Sequence, residues 1–275
     1  MNEYGAAKVR PPLKWAGGKF RIIDDIRQLL PAGKRLIEPF VGSGAVFLNT
    51  DYDRYIVNDI NRDLTLFYRV LKKKRDGFIS YSRRFFTSTH NTAVCYYKLR
   101  EDFNATANST RKAALFLYLN KHGYNGLCRY NTAGEMNVPF GRYKEPYFPE
   151  REMLAFIKKA NRITIQNKDF AAVMQAAIEG DVIYCDPPYV PLSQTSNFTS
   201  YSAGGFSILD QQRLAYLAER TAKRGIPVLI SNHWTPYTKT IYKKARLKRL
   251  KVRRLISCNS NNRENAAEVL ALFLP

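Results

Sequence analysis

Three short β-favouring runs end, one after another, in turns rich in glycine, acid or proline, and this succession restricts the chain to an open α/β sheet. Leu36-Ile37 leads into Glu38-Pro39-Phe40-Val41-Gly42-Ser43-Gly44 and then a helix-like Ala45 to Asn49. Arg54-Tyr55-Ile56-Val57-Asn58 leads to Asp59, and Val182-Ile183-Tyr184-Cys185 leads to Asp186-Pro187-Pro188-Tyr189. Ile163-Thr164-Ile165 and Ile226-Pro227-Val228-Leu229-Ile230-Ser231 add two more strands. A helix over Asp210 to Arg224 carries Leu214, Leu217 and Ala218 on one face and stops at Gly225. Near the end, Val252 to Ile256 and Val269 to Leu274 are expected to pair as an antiparallel hairpin around Asn259 to Asn262. The predicted fold is a Rossmann-like, mostly parallel sheet with helices on both faces and a C-terminal antiparallel hairpin. In such sheets ligands bind at the carboxyl ends of the strands, where these turns stand.

The middle of the chain has a different texture. Helical patterns over Leu64 to Lys74, Val94 to Phe103 and Arg111 to Lys121 give way to loops as far as Pro149. Residues 62–150 hold 16 Lys and Arg against 7 Asp and Glu, a surplus of nine positive charges in one third of the chain. We read 62–150 as a helical insertion between two parts of one α/β domain, 1–61 and 151–275. The net charge of +21 over 275 residues calls for a polyanionic partner. No stretch approaches the roughly 18 apolar residues of a membrane span, and the amino terminus lacks a signal-peptide core. Cys95, Cys128, Cys185 and Cys258 are scattered, without a CxxC pair or a nearby histidine cluster. They are expected to be reduced, and no metal site is expected.

The motifs carry chemistry of one kind. The exocyclic amine of adenine or cytosine is a poor nucleophile, because its lone pair is delocalised into the ring. A carboxylate and a carbonyl that both accept from the NH2 group localise that pair. Asp186 offers the carboxylate, Pro187 the carbonyl on a turn stiffened by Pro188, and Tyr189 a face for an extruded base. A strand followed by an ordinary proline turn gives the same four letters. Gly42 and Gly44 let a nucleoside approach the backbone, although a lone Gly-x-Gly is often just a tight turn. Asp59 is placed to accept from two ribose hydroxyls, or to cap the following helix. Lys14-Trp15-Ala16-Gly17-Gly18-Lys19 is not a phosphate loop: Leu13 stands where the first glycine would fall, and Phe20 where a hydroxyl residue would hold magnesium. Cys185, His90, His122 and Trp234 are expected to serve packing or hydrogen bonding. The nine basic residues over Lys239 to Arg254 fit a solvated face or phosphate contacts about equally.

Taken in order, Lys14 to Lys19, Glu38 to Gly44, Asn58-Asp59-Ile60-Asn61 and Cys185 to Tyr189 resemble the motifs of the adenine-N6 DNA methyltransferases. Tyr118 to Tyr130 and Asn137 to Tyr143 narrow the likeness to the Dam-type enzymes that act at GATC. The resemblance runs from about Pro12 to Leu274. It implies S-adenosylmethionine as cofactor, with Trp15, Lys19, Gly42, Gly44, Asp59, Asp169, Phe170 and Asp186 at its pocket. It implies that Asp186, Pro187, Pro188 and Tyr189 grip a flipped adenine, and that transfer is direct, without a covalent intermediate or a metal. Among DNA contacts it implies Tyr124 and Asn125 as the wedge and Leu127, Arg129, Pro139 and Lys14 as base readers. Arg100 and Arg142 would hold phosphates. A monomeric, cytoplasmic protein acting on double-stranded DNA, in replication or in a restriction pair, follows from the same likeness. Alternatives are a cytosine-N4 or RNA-adenine methyltransferase, or an inactive DNA-binding regulator on this fold.

Overall fold

The computed structural model describes residues 8–190, 205–252 and 266–275. The chain divides into two units. One comprises Met1–Arg21, Val41–Asp51 and Asp59–Asn167, and the other Ile22–Phe40, Tyr52–Asn58 and Lys168–Pro275.

The strands, in chain order, are β1 (Arg35–Glu38), β2 (Arg54–Asn58), β3 (Ile163–Gln166), β4 (Asp181–Cys185), β5 (Val228–His233), β6 (Arg246–Val252) and β7 (Ala266–Phe273). Among the described residues of the second unit, six strands form a sheet in the order β2-β1-β4-β5-β7-β6. The pairs β2–β1, β1–β4 and β4–β5 are parallel, whereas β5–β7 and β6–β7 are antiparallel. β4 is buried at all five positions, as a parallel strand covered on both faces must be. Its start is tied to β1 by the register pair Arg35 and Asp181, whose guanidinium and carboxylate meet at 2.8 and 2.7 Å. Ile37, Ile183, Cys185, Val228, Ile230 and Ala271 pack with Phe170, Met174, Leu214 and Ala218 from the helices Phe170–Gln175 and Ile208–Ala222. Cys185 is thus a core residue, and Trp234 packs against the same cluster. The helix Ile208–Ala222 starts in a capping box between Ser207 and Asp210, and Gly225 follows it at φ +84°.

The sheet is the one expected, with one correction at its end. The first hairpin strand runs over Arg246–Val252 and not over 252–256, of which 253–256 lie outside the described residues. In Arg-Leu-Lys-Arg-Leu-Lys-Val, basic residues fill most positions between the leucines, so the segment reads as a charged face. Pairing with β7 from Arg246↔Leu272 to Val252↔Ala266 makes it a strand.

The other unit is helical: Ala45–Leu48, Arg62–Arg83, Ala93–Ala105, Ser109–His122 and Glu150–Lys159, followed by β3. Asn61, Thr92 and Asn108 cap three of these helices by accepting from Leu64, Cys95 and Arg111 amides. Ser109–His122 is buried at every position from Ala113 onward, which makes it the centre of the unit. Phe67, Tyr68, Phe78, Phe116 and Phe156 pack as edge-on, tilted and stacked rings, with Phe67 between Phe78 and Phe116. The long helix Arg62–Arg83 extends the expected Leu64 to Lys74 and is broken at Arg75, where φ is +48° and ψ −126°.

Candidate functional site

In the sheet unit, β4 ends at Cys185 and releases the chain into Asp186-Pro187-Pro188-Tyr189. The Asp186 carboxylate, the Pro188 carbonyl and the Tyr189 phenol are each held by residues far away in sequence. Ser231, fully buried near the end of β5, donates to the Asp186 carboxylate at 3.0 Å and also meets the Tyr184 phenol at 3.0 Å. Gln211 donates to the Pro188 carbonyl at 2.7 Å. The Gln211 oxygen in turn accepts from Asn232, which reaches Tyr242 at 3.0 Å and whose oxygen receives the Val190 amide. Tyr189 donates to Glu268 of β7 at 3.0 Å, and its ring stands edge-on to His233 at 4.7 Å. Burial pushes the Tyr189 phenol well up, and the Asp186 charge pushes it the same way, so it stays protonated. The result is a carboxylate, a proline turn and an aromatic face fixed by a buried polar network. Ser231, Gln211, Asn232 and Glu268 carried no signal in the sequence as site residues.

Asp169 and Phe170 lie in the same unit. Asp169 caps the helix Phe170–Gln175 by accepting from the Ala171 amide and pairs with Arg213 at 2.9 Å. Phe170 packs in tilted contact with Phe40 and Phe206 at centroid distances of 5.3 and 5.4 Å, beneath the Arg213 guanidinium.

In the helical unit the glycine loop and the acid meet. The Gly42 amide donates to Asp59 at 3.1 Å, and the Gly42 carbonyl accepts from Tyr68 at 2.9 Å. The other Asp59 oxygen accepts from the Asn61 amide at 3.0 Å. The cap of the following helix is Asn61, so Asp59 is released from the capping role the sequence left open. Burial raises the Asp59 pKa, and the amides of Asn61 and Gly42 counter it. Gly42 sits at φ +48°, and a Cβ there would come within 2.8 Å of the Trp15 ring. Gly44, at φ +80°, starts the helix Ala45–Leu48, and its own Cβ would strike Phe47. Lys19 is buried, and its ammonium donates to the Gly17 carbonyl. Trp15, Gly42, Gly44 and Asp59 therefore belong to one unit, whereas Asp169, Phe170 and Asp186 belong to the other.

The residues assigned to DNA all fall in the helical unit. Tyr124 and Asn125 stand exposed on a short turn, where Asn125 adopts φ +53°. The Tyr124 amide donates to the Pro139 carbonyl, and the Asn125 amide to the Tyr143 phenol, both at 2.9 Å. Gly126 approaches Lys14 so closely that a Cβ would overlap the lysine side chain. Lys14 is gripped by buried Asn120, which accepts from its amide and donates to its carbonyl, both at 2.8 Å. The Lys14 ammonium lies 4.1 Å over the Tyr143 ring, and partial burial lowers its pKa. Exposed Arg129 is aimed by Asn137 through bonds of 2.8 and 3.1 Å. Arg100 donates to the Val138 carbonyl at 3.0 Å, Leu127 is exposed, and Arg142 is exposed at φ +53°. Beneath this surface Lys121 is lowered to about 8 by burial and by Lys14, and His122 to about 4 by burial. Tyr143, Asn120 and Asn137 shape this surface without having been marked by spacing or composition.

Among the described residues no group of three or more His, Cys, Asp or Glu could hold a metal, and no helix is long and apolar enough to cross a membrane. The family model of the D12 class N6 adenine-specific DNA methyltransferases matches residues 15–256. The chain is 52% identical over 268 residues to the DNA adenine methylase of Salmonella typhi, covering 98% of this chain and 96% of that one. It is 51% identical over 268 residues to the DNA adenine methylase of Escherichia coli (strain K12), with the same coverage. For that of Vibrio cholerae serotype O1 (strain ATCC 39315 / El Tor Inaba N16961) the figure is 49% over 269 residues, covering 98% and 97%.

Proposed function

The chain belongs to the D12 class of N6 adenine-specific DNA methyltransferases, and from that premise we propose that it methylates N6 of adenine in GATC of duplex DNA. S-adenosylmethionine supplies the methyl group. The observation that carries the reading is the Asp186 turn: a carboxylate oriented by Ser231, a braced diproline and a protonated Tyr189. Asp186 and the Pro187 carbonyl accept from the two amine hydrogens, which draws the nitrogen lone pair out of conjugation. Tyr189 stacks on the extruded base. Asp59 suits the cofactor because its carboxylate, beyond the backbone amides it accepts from, has lone pairs for ribose hydroxyls. Gly42 and Gly44, without side chains, and the Trp15 ring suit its nucleoside. Lys19, Asp169 and Phe170 complete the cofactor assignment.

In this reading 62–150 recognises DNA, and 1–61 with 151–275 performs catalysis. Tyr124 and Asn125 wedge the stack, Leu127, Arg129, Pro139 and Lys14 read base edges, and Arg100 and Arg142 hold phosphates. Asn137 supports the Arg129 assignment, because a guanidinium already oriented loses less freedom on forming a bidentate pair with guanine. The protein acts as a monomer on chromosomal DNA in the cytoplasm. The test is to incubate unmethylated plasmid with protein and S-adenosylmethionine, then to cut with nucleases sensitive and insensitive to GATC methylation. Protection from the sensitive enzyme alone is expected. Asp186→Ala should abolish transfer while leaving DNA affinity in place, and turnover in that variant would sink the role given to Asp186.

A further inference from the structure

The segment that carries Asp59 also touches the hairpin that carries Arg129. Asp59 is followed after one residue by Asn61, whose side chain caps the helix Arg62–Arg83 by accepting from Leu64 at 3.0 Å. Asp63 is the second residue of that helix, and its carboxylate accepts from the Tyr130 phenol at 2.8 Å. Tyr130 pairs with Met136 across a hairpin whose tip closes through Asn131 and Glu135. Its neighbour Arg129 is clasped by Asn137 on the opposite arm. On its other side the Asp59 carboxylate holds the Gly42 amide. From the glycine loop to the hairpin the links are thus Gly42, Asp59, Asn61 with Asp63, and Tyr130. All are hydrogen bonds or single steps along a capped helix start, within one unit.

We infer that Tyr130 is a positioning residue that couples cofactor occupancy to DNA readout, through its hydrogen bond to Asp63. The inference rests on the proposed roles of Asp59 and Arg129. When ribose hydroxyls engage Asp59, the loop Asp59–Asn61 and the helix start are held in one arrangement, and Tyr130 transmits that arrangement to the hairpin. By reciprocity, cognate DNA that fixes the hairpin must tighten cofactor binding by the same factor. Tyr130 itself touches neither ligand in this scheme.

The experiment measures the Kd of S-adenosylhomocysteine by calorimetry, with and without a short GATC duplex, on the full chain. For the wild type the duplex should tighten binding at least fivefold, the lower end of common coupling factors. Tyr130→Phe keeps the ring and removes only the hydroxyl. Its affinity without DNA should stay within twofold of wild type, and the DNA effect should fall below twofold. Asp63→Ala cuts the same contact from the other side, keeping the test usable should Tyr130→Phe fold poorly. The double variant should lose no more coupling than either single one. A contact that only adds stability would lower the melting temperature and leave the ratio of the two Kd values intact. Coupling retained in both single variants, or absent in the wild type, overturns the inference. Asp59→Ala separates this from the cofactor assignment, because undiminished S-adenosylhomocysteine affinity there would refute the role of Asp59 and the inference with it.

Discussion

Ser231→Ala removes one hydroxyl from beneath the Asp186 carboxylate. The lost bond is 3.0 Å long and its donor is fully buried, so water cannot replace it in place. A hydrogen bond to a charged acceptor contributes about 1.5–3 kcal/mol. If the carboxylate must hold its angle to take up the amine hydrogens, that loss appears in the transition state, at about 1.4 kcal/mol per tenfold. The expected fall in the single-turnover rate is therefore on the order of 10- to 100-fold, with cofactor and duplex saturating. Affinity for S-adenosylhomocysteine should stay within a fewfold, because Ser231 orients only Asp186 among the residues assigned to the cofactor. Ser231 also meets the Tyr184 phenol, so the variant should lose stability as well, by about 1–3 kcal/mol for a buried polar group left without that partner. Tyr184→Phe controls for this: it breaks the same bond, leaves Ser231 on Asp186, and should keep the rate within a fewfold. A wild-type rate in folded Ser231→Ala would refute the claim that this hydroxyl orients the catalytic carboxylate. An equal loss in Tyr184→Phe would refute the assignment of the effect to Asp186.

Three further outcomes test other parts of the molecule. Gly126→Ala places a methyl group against Lys14 at φ +64°; left-handed strain of about 1–2 kcal/mol and overpacking of about 1–3 kcal/mol should together lower stability in urea, and a change below about 0.5 kcal/mol would mean Lys14 yields easily. His122 is held by burial at about 4 against an ordinary 6.5; the unfolded chain takes up its proton first, so stability is full above pH 6.5 and falls as pH drops from 6.5 towards 4. Between pH 7.5 and 5 this removes about 2 kcal/mol, which urea titrations should show for the wild type and not for His122→Phe. Arg129→Ala should relax discrimination at one base pair by about 10- to 100-fold in competition binding, matching about 1–3 kcal/mol for a bidentate pair, and unchanged preference would remove Arg129 from the readout.

Local chemistry determined most of the scaffold. β2 was legible to the residue, because Arg54-Tyr55-Ile56-Val57-Asn58 favours a strand and stops at an acid. The helix expected to end at Lys74 does lose its regular path at Arg75, although the chain then resumes helix to Arg83. The strand over Arg246–Val252 was not legible, since its positive charges mask it until β7 supplies a partner. The ordered motifs also singled out Gly42, Asp59 and Asp186 as candidates, because glycine, acid and proline carry their chemistry in the residue itself.

Only tertiary structure could decide what holds those residues. Ser231 lies 45 residues from Asp186, Tyr130 lies 67 from Asp63, and Asn120 lies 106 from Lys14. Ser231 has no neighbouring motif to mark it, and Asn120 and Tyr130, although they lie in the Tyr118 to Tyr130 stretch, are given no distant partner by it. Each acquires its role when a strand register, a hairpin or a central helix brings one polar atom to hydrogen-bonding distance of another. The capping alternative at Asp59 is removed the same way: Asn61 takes the helix amide, and the Asp59 carboxylate turns to the Gly42 loop.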